Sequence, residues 1–86
     1  MAEIKVGKIT HYFNKIGVAI VEIEDSFIEV GDTIKIIGHD REFEQPVESI
    51  QVEHKPVNRA ERGDVVGLKV SQTVKEGDEI YKITAD

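Results

Sequence analysis

The dipeptide Gly-Asp occurs three times in this chain, at Gly31-Asp32, Gly63-Asp64 and Gly77-Asp78. Each copy is followed by a run rich in β-branched residues: Thr33–Ile37, Val65–Val70 and Glu79–Ile83. Glycine reaches turn conformations at low steric cost, and the adjacent aspartate tightens the turn through its carboxylate. β-Branched runs bounded by such turns read as strands. A small protein punctuated in this way is constrained to an all-β barrel or sandwich.

The remaining strands follow from alternation. Strand one runs from Glu3 to His11, with Ile4 and Val6 on one parity and Ile9 on the other. A bulge at Gly7 restores the register. Strand two runs from Ile16 to Ile23; Gly17, Ala19 and Val21 share a face whose small residues suggest close approach by another strand or a partner. Glu24-Asp25-Ser26 makes a turn, and Phe27, Ile28 and Val30 lead into strand three, Thr33 to Ile37. After a polar hairpin loop, Gly38 to Glu42, strand four runs from Phe43 to His54. Its parity changes between Val47 and Ile50, so a bulge near Glu48-Ser49 is expected, with the strand bent across a barrel. Pro46 cannot donate to a ladder and belongs at an edge or bulge. Asn58-Arg59-Ala60-Glu61-Arg62 reads as one helical turn, capped by Asn58 and ended by Gly63. Strands five (Val65–Val70) and six (Glu79–Ile83) complete a closed or nearly closed antiparallel barrel.

The chain has 86 residues, enough for one domain, residues 1–86. It has no cysteine, which rules out disulfides and thiolate metal sites within it. No apolar stretch approaches the roughly 20 residues that span a bilayer. Met1-Ala2-Glu3-Ile4-Lys5 lacks the layout of a signal peptide, so a cytoplasmic location is expected. Seventeen acidic residues against eleven basic ones give a formal net charge of -6. Nucleic-acid binding rests on phosphate neutralisation, and this overall sign opposes it.

Val30-Gly31-Asp32-Thr33-Ile34-Lys35-Ile36, Ala60-Glu61-Arg62-Gly63-Asp64-Val65-Val66-Gly67-Leu68 and Val74-Lys75-Glu76-Gly77-Asp78-Glu79-Ile80 resemble the second domain of translational GTPases such as elongation factor Tu. The resemblance covers nearly the whole chain and implies a six- or seven-stranded β-barrel of the translation-protein type. A closer resemblance is to the C-terminal barrel of the collagenase-like peptidases of family U32. It is carried by Gly7-Lys8-Ile9-Thr10-His11-Tyr12-Phe13-Asn14-Lys15-Ile16-Gly17-Val18-Ala19 and by Val47-Glu48-Ser49-Ile50-Gln51-Val52-Glu53-His54-Lys55-Pro56-Val57. This second resemblance implies a barrel that is accessory to a separate catalytic domain. No phosphate loop of the form G-x-x-x-x-G-K-[ST] is present, so nucleotide hydrolysis does not carry over. Peptidase and RNA-hydroxylation chemistry would reside in the other domain and do not carry over either.

Few residues suggest chemistry of their own. Asn14-Lys15-Ile16-Gly17 echoes a guanine reader but lacks its aspartate, and Arg62-Gly63-Asp64 is explained as a turn. His11, His39 and His54 lie singly, with no metal-ligand spacing; no catalytic residues, cofactor or metal are expected. His54, Lys55, Arg59 and Arg62 form a basic patch that either balances Glu53 and Glu61, the preferred reading, or contacts phosphate. The segment His11-Tyr12-Phe13-Asn14-Lys15 stands out because it holds two of the five aromatics between strands. Lys8, His11 and Lys15 flank Tyr12 and Phe13. Aromatic faces beside lysines hold single-stranded nucleic acid, and adjacent aromatics on loops anchor protein partners. The expectation is therefore a non-catalytic module docking on tRNA, ribosomal RNA or a translation or RNA-modification protein through Lys8, His11, Tyr12, Phe13 and Lys15. The alternative is a protein–protein adaptor that supplies the barrel in trans to a collagenase-like catalytic partner.

Overall fold

The three Gly-Asp turns are built alike. In the computed structural model, which describes residues 2–84, Gly31, Gly63 and Gly77 have φ of 99°, 94° and 91°. Each is the third residue of a turn closed by a backbone hydrogen bond. Asp32 N–H donates to Glu29 O (3.1 Å), Asp64 N–H to Glu61 O (2.9 Å) and Asp78 N–H to Lys75 O (3.2 Å). Positive φ at that position is what a type II turn demands. The aspartate Oδ2 in turn accepts from the N–H of the turn's first residue, at 2.8, 2.9 and 3.0 Å respectively. One carboxylate thus holds the mouth of each turn, and the strand that follows starts from a fixed geometry.

Ten strands result among the described residues: β1 (Ala2–Phe13), β2 (Val18–Ile23), β3 (Phe27–Glu29), β4 (Thr33–Ile37), β5 (Glu42–Pro46), β6 (Ile50–Val52), β7 (Lys55–Val57), β8 (Arg59–Glu61), β9 (Val65–Lys69) and β10 (Glu79–Thr84). Eight form one antiparallel sheet in the order β5-β4-β10-β1-β2-β9-β6-β7, and β3 pairs with β8 in a second. The inward residues of each strand build one core: Val6 and Ile9, Ala19, Val21 and Ile23, Ile34 and Ile36, Val66 and Leu68, and Ile80 are all buried. Each such aliphatic side chain larger than alanine contributes on the order of 1.5–3 kcal/mol when removed from water.

The strand β1 serves two neighbours, and bulges let it do so. Its first half pairs with β10 and its second with β2. One register shift falls between Lys5 and Gly7, at the position expected from the parity of Ile4, Val6 and Ile9. Gly7 is required there by close approach: a Cβ would collide with the carbonyl oxygen of Glu22. A second shift, between Ile9 and His11, was not foreseen. It makes Thr10 the extra residue and turns both Ile9 and Tyr12 toward the core.

Four expectations are corrected. The segment read as a long fourth strand is two strands, β5 and β6, separated by residues 47–49. Pro46 ends β5, which is an edge strand of the sheet. Residues 58–62 do not form a helical turn; Arg59–Glu61 pairs with Phe27–Glu29, so the backbone is satisfied across strands instead of locally. The small-residue face of the second strand is not a partner surface, because Ala19 is wholly buried in the core and Gly17 lies in the preceding turn with φ of 67°. The expected barrel is present only as an all-β, antiparallel architecture: β5 and β7 are the sheet's two edges and no ladder joins them. Single backbone bonds only prolong existing pairings: Gly31 N–H to Val47 O (2.9 Å) and Val47 N–H to Asp32 O (2.7 Å) continue β4–β5, and Val30 N–H to Asn58 O (2.9 Å) continues β3–β8. At one end of the core, the Lys82 ammonium lies 3.5 Å from the centroid of the Phe27 ring. The expectation of no signal segment rests partly on Met1, which lies outside the described residues.

Candidate docking surface

The five residues singled out around Tyr12 and Phe13 divide between the two faces of β1. Lys8, His11 and Phe13 lie opposite Glu22, Ile20 and Val18 of β2, on the outer face. Tyr12 lies opposite Ala19 and packs against the core. Lys8 is drawn to Glu24 (Nζ–Oε2 3.5 Å), away from the aromatics. His11 Nδ1 is 3.3 Å from Glu76 Oε1, and its ring leans on Phe13 with centroids 4.6 Å apart. Lys15 is exposed in the turn after β1. Phe13 alone is left as an accessible aromatic face, 44% exposed. The second basic patch is dispersed too. Arg59 lies on β8, between Glu61 (3.2 Å) and Glu29 (3.9 Å) and over Phe27, whereas His54 sits in the hairpin joining β6 to β7.

What the structure does assemble is an apolar groove on the outer face. Phe13, Ile16, Val18, Ile20 and Val65 line it, with a volume of about 270 Å³. Ile16 and Val65 are 59% and 53% exposed, the highest values among the large hydrophobics of the described residues. The register explains the depression. Gly67 of β9 stands between Ile20 and Gln51, so the centre of the face has no side chain. A Cβ there would lie 3.4 Å from Val18 Cγ1, in ordinary contact, so the space is open and not needed by the backbone. The groove was missed in the sequence because Gly67 reads there as a mere break in the alternation of Val66, Leu68 and Val70.

The groove's far wall is a strained hairpin. The β6–β9 ladder ends at the Gln51–Gly67 pair, and the β6–β7 hairpin then peels away from β9. Its two loop residues, Glu53 and His54, have φ of 51° and 67°. A two-residue hairpin with both residues left-handed is the geometry that normally selects Asn-Gly.

Charge is unevenly placed along the groove. At the Phe13–Ile16 end lie Lys15 and Lys69, the latter donating from Nζ to Ile16 O at 3.1 Å. At the Val65 end lie Glu22, its neighbour across the ladder, Asp64, which precedes it, and Glu53 on the hairpin. None of these five side chains is in an ion pair among the described residues. His11, His39 and His54 stand on three separate elements, and no group of three His, Asp or Glu suited to a metal ion occurs among the described residues. No helix of the described residues is long and apolar enough to cross a membrane.

Comparison with known proteins points to the second of the two resemblances. A protein of Methanocaldococcus jannaschii named an uncharacterized protease is 38% identical over 80 residues, 92% of this chain and 19% of the relative. A collagenase of Porphyromonas gingivalis is 36% identical over 81 residues, 93% of this chain and 20% of the relative. The chain therefore spans about a fifth of the length of the curated relatives it matches. No family model matches it. Among solved structures, the C-terminal domain of a protein described as a U32 peptidase in Geobacillus thermoleovorans shares the fold, with a TM-score of 0.85 at 22% identity over 95% of this chain and 93% of that one.

Proposed function

We propose that the chain is the non-catalytic barrel-type module of a U32 collagenase-like peptidase system, a surface that binds protein and leaves the chemistry to a separate catalytic portion. One observation carries this reading. Residues spanning over nine-tenths of the chain align with a protease and a collagenase, yet they account for only a fifth of either. That proportion, and the likeness in fold to a domain solved separately as a C-terminal unit, support an accessory role. The groove supports the binding role: it offers exposed apolar side chains between a basic and an acidic end. The acidic net charge and the inward turn of Tyr12 favour a protein over RNA.

The test uses the Methanocaldococcus jannaschii relative with the matching fifth removed. Calorimetric titration with this chain is expected to give a 1:1 complex, and a gel shift with tRNA at low salt is expected to show none. Hydrolysis of gelatin by this chain alone, or RNA binding without peptidase binding, would overturn the reading.

A further inference from the structure

We infer that the outer-face groove is the contact of a two-fold dimer of this chain. The first argument is the arrangement of charge. The groove has a basic end, Lys15 and Lys69, and an acidic end, Glu22, Asp64 and Glu53. A two-fold axis lying in the contact plane over Gly67, parallel to the sheet and perpendicular to the groove, faces the two grooves together and reverses one of them end for end. It sets the lysines of one copy on the carboxylates of the other, twice over. An unrelated partner would have to carry the inverse pattern; a second copy carries it by construction, which is the condition for an isologous interface. Electrostatic complementarity of this kind fixes register and suppresses wrong partners.

The second argument is the apolar area. Three of the five exposed large hydrophobics among the described residues (Phe13, Ile16 and Val65) border this one depression, with Val18 and Ile20 between them. A standard interface takes about 800 Å² from each partner. The groove and its charged ends need to supply about 15% of the chain's 5281 Å² of accessible surface to reach that size. An interface of this size with no buried aromatic hot spot other than Phe13 binds at the weak, micromolar end of the range for its area. The inference does not rest on the peptidase reading and competes with it for this groove: if the dimer forms, the catalytic portion docks on another face.

Sedimentation of the isolated chain from micromolar to near-millimolar concentration tests it. The expected result is a monomer–dimer equilibrium that weakens with salt. Ile16→Asp should abolish the dimer and Val30→Asp, an exposed hydrophobic outside the groove, should leave it intact; far-ultraviolet spectra verify that both fold. The sharper arm reverses the charges. Lys15→Glu with Lys69→Glu makes both ends acidic, and Glu22→Lys with Glu53→Lys makes the opposite end basic. Each doubly substituted chain should be monomeric, and their equimolar mixture should form a heterodimer at least as tight as the original. A monomer at every concentration, or reversed chains that fail to associate on mixing, overturns the inference. So does an Ile16→Asp chain that still dimerises. If the chain is monomeric and Ile16→Asp instead removes binding to the truncated protease, the groove belongs to the peptidase portion and the dimer is excluded. The two readings therefore fail separately.

Discussion

The Gln45 carboxamide donates to the carbonyl oxygen of Lys69 at 2.8 Å, and so joins two strands that share no ladder. Its own carbonyl oxygen accepts from the N–H and hydroxyl of Ser71, at 2.7 and 3.1 Å. Gln45 lies on an edge strand, is 6% exposed, and faces the chain just beyond β9. A single side chain thus ties the edge strand β5 to the end of β9 and the segment that leaves it, where no backbone ladder joins them.

Replacing it should therefore cost more than an ordinary surface polar residue. Gln45→Leu keeps the volume and loses all four side-chain hydrogen bonds, the fourth being from Nε2 to Pro46 O at 3.4 Å. The expected destabilisation is about 1–3 kcal/mol, because the Lys69 carbonyl is left to find water at a partly buried site. Urea unfolding followed by circular dichroism measures it. A change within about 0.5 kcal/mol, the range of surface substitutions, would show that the gap closes without this residue.

Gly7 is expected to be nearly irreplaceable. The carbonyl oxygen of Glu22 occupies the place of a Cβ, and backbone cannot rotate away as a side chain can. Gly7→Ala should cost about 3 kcal/mol or more, at or above the usual range for overpacking. Gly67→Ala adds the same methyl in open contact and should lie within about 1 kcal/mol of the original. Thermal unfolding of the pair distinguishes close approach from simple loss of glycine.

The hairpin of Glu53 and His54 invites stabilisation. Both residues hold left-handed backbone that costs an L-residue about 1–2 kcal/mol. Glu53→Asn with His54→Gly supplies the residues this turn prefers and should raise stability by about 1–2 kcal/mol. If the original strain is held for function, the same change should weaken whatever binds the groove. Denaturant midpoints and the dimer equilibrium, measured on one preparation, report both.

Two lysines predict the alkaline limb of stability. The ammonium of Lys5 is raised above its ordinary 10.5 chiefly by its hydrogen bond to Glu79, then by that carboxylate's charge, with smaller help from Glu24 and Tyr81. Lys35 is raised likewise, first by its hydrogen bond to Glu3 and then by the charges of Glu3 and Glu42. A group that holds its proton more tightly when folded stabilises the fold below its unfolded value. That contribution is complete below pH 10.5 and is lost as pH rises through the folded value. Stability should therefore fall above about pH 10.5. Lys5→Met with Lys35→Met should flatten that part of the curve. Urea midpoints taken across this range for both proteins provide the comparison.

The turns and the strand-forming runs were legible without coordinates, because a Gly-Asp pair acts within four residues and alternation within six. The bulge at Gly7 was legible too, since Ile4, Val6 and Ile9 must all be accounted for on one strand. The bulge at Thr10 was not. No local signal distinguishes it, and it decides that Tyr12 enters the core while Phe13 faces out. Arg59–Glu61 had the local features of a helical turn and became a strand because Phe27–Glu29 offered it a ladder from thirty residues away. The groove, its charged ends and the side-chain bridge from Gln45 are likewise products of pairing between distant segments. Local chemistry determined where the chain turns and extends; only tertiary structure decided which faces meet, because register is fixed by partners that sequence neighbours do not contain.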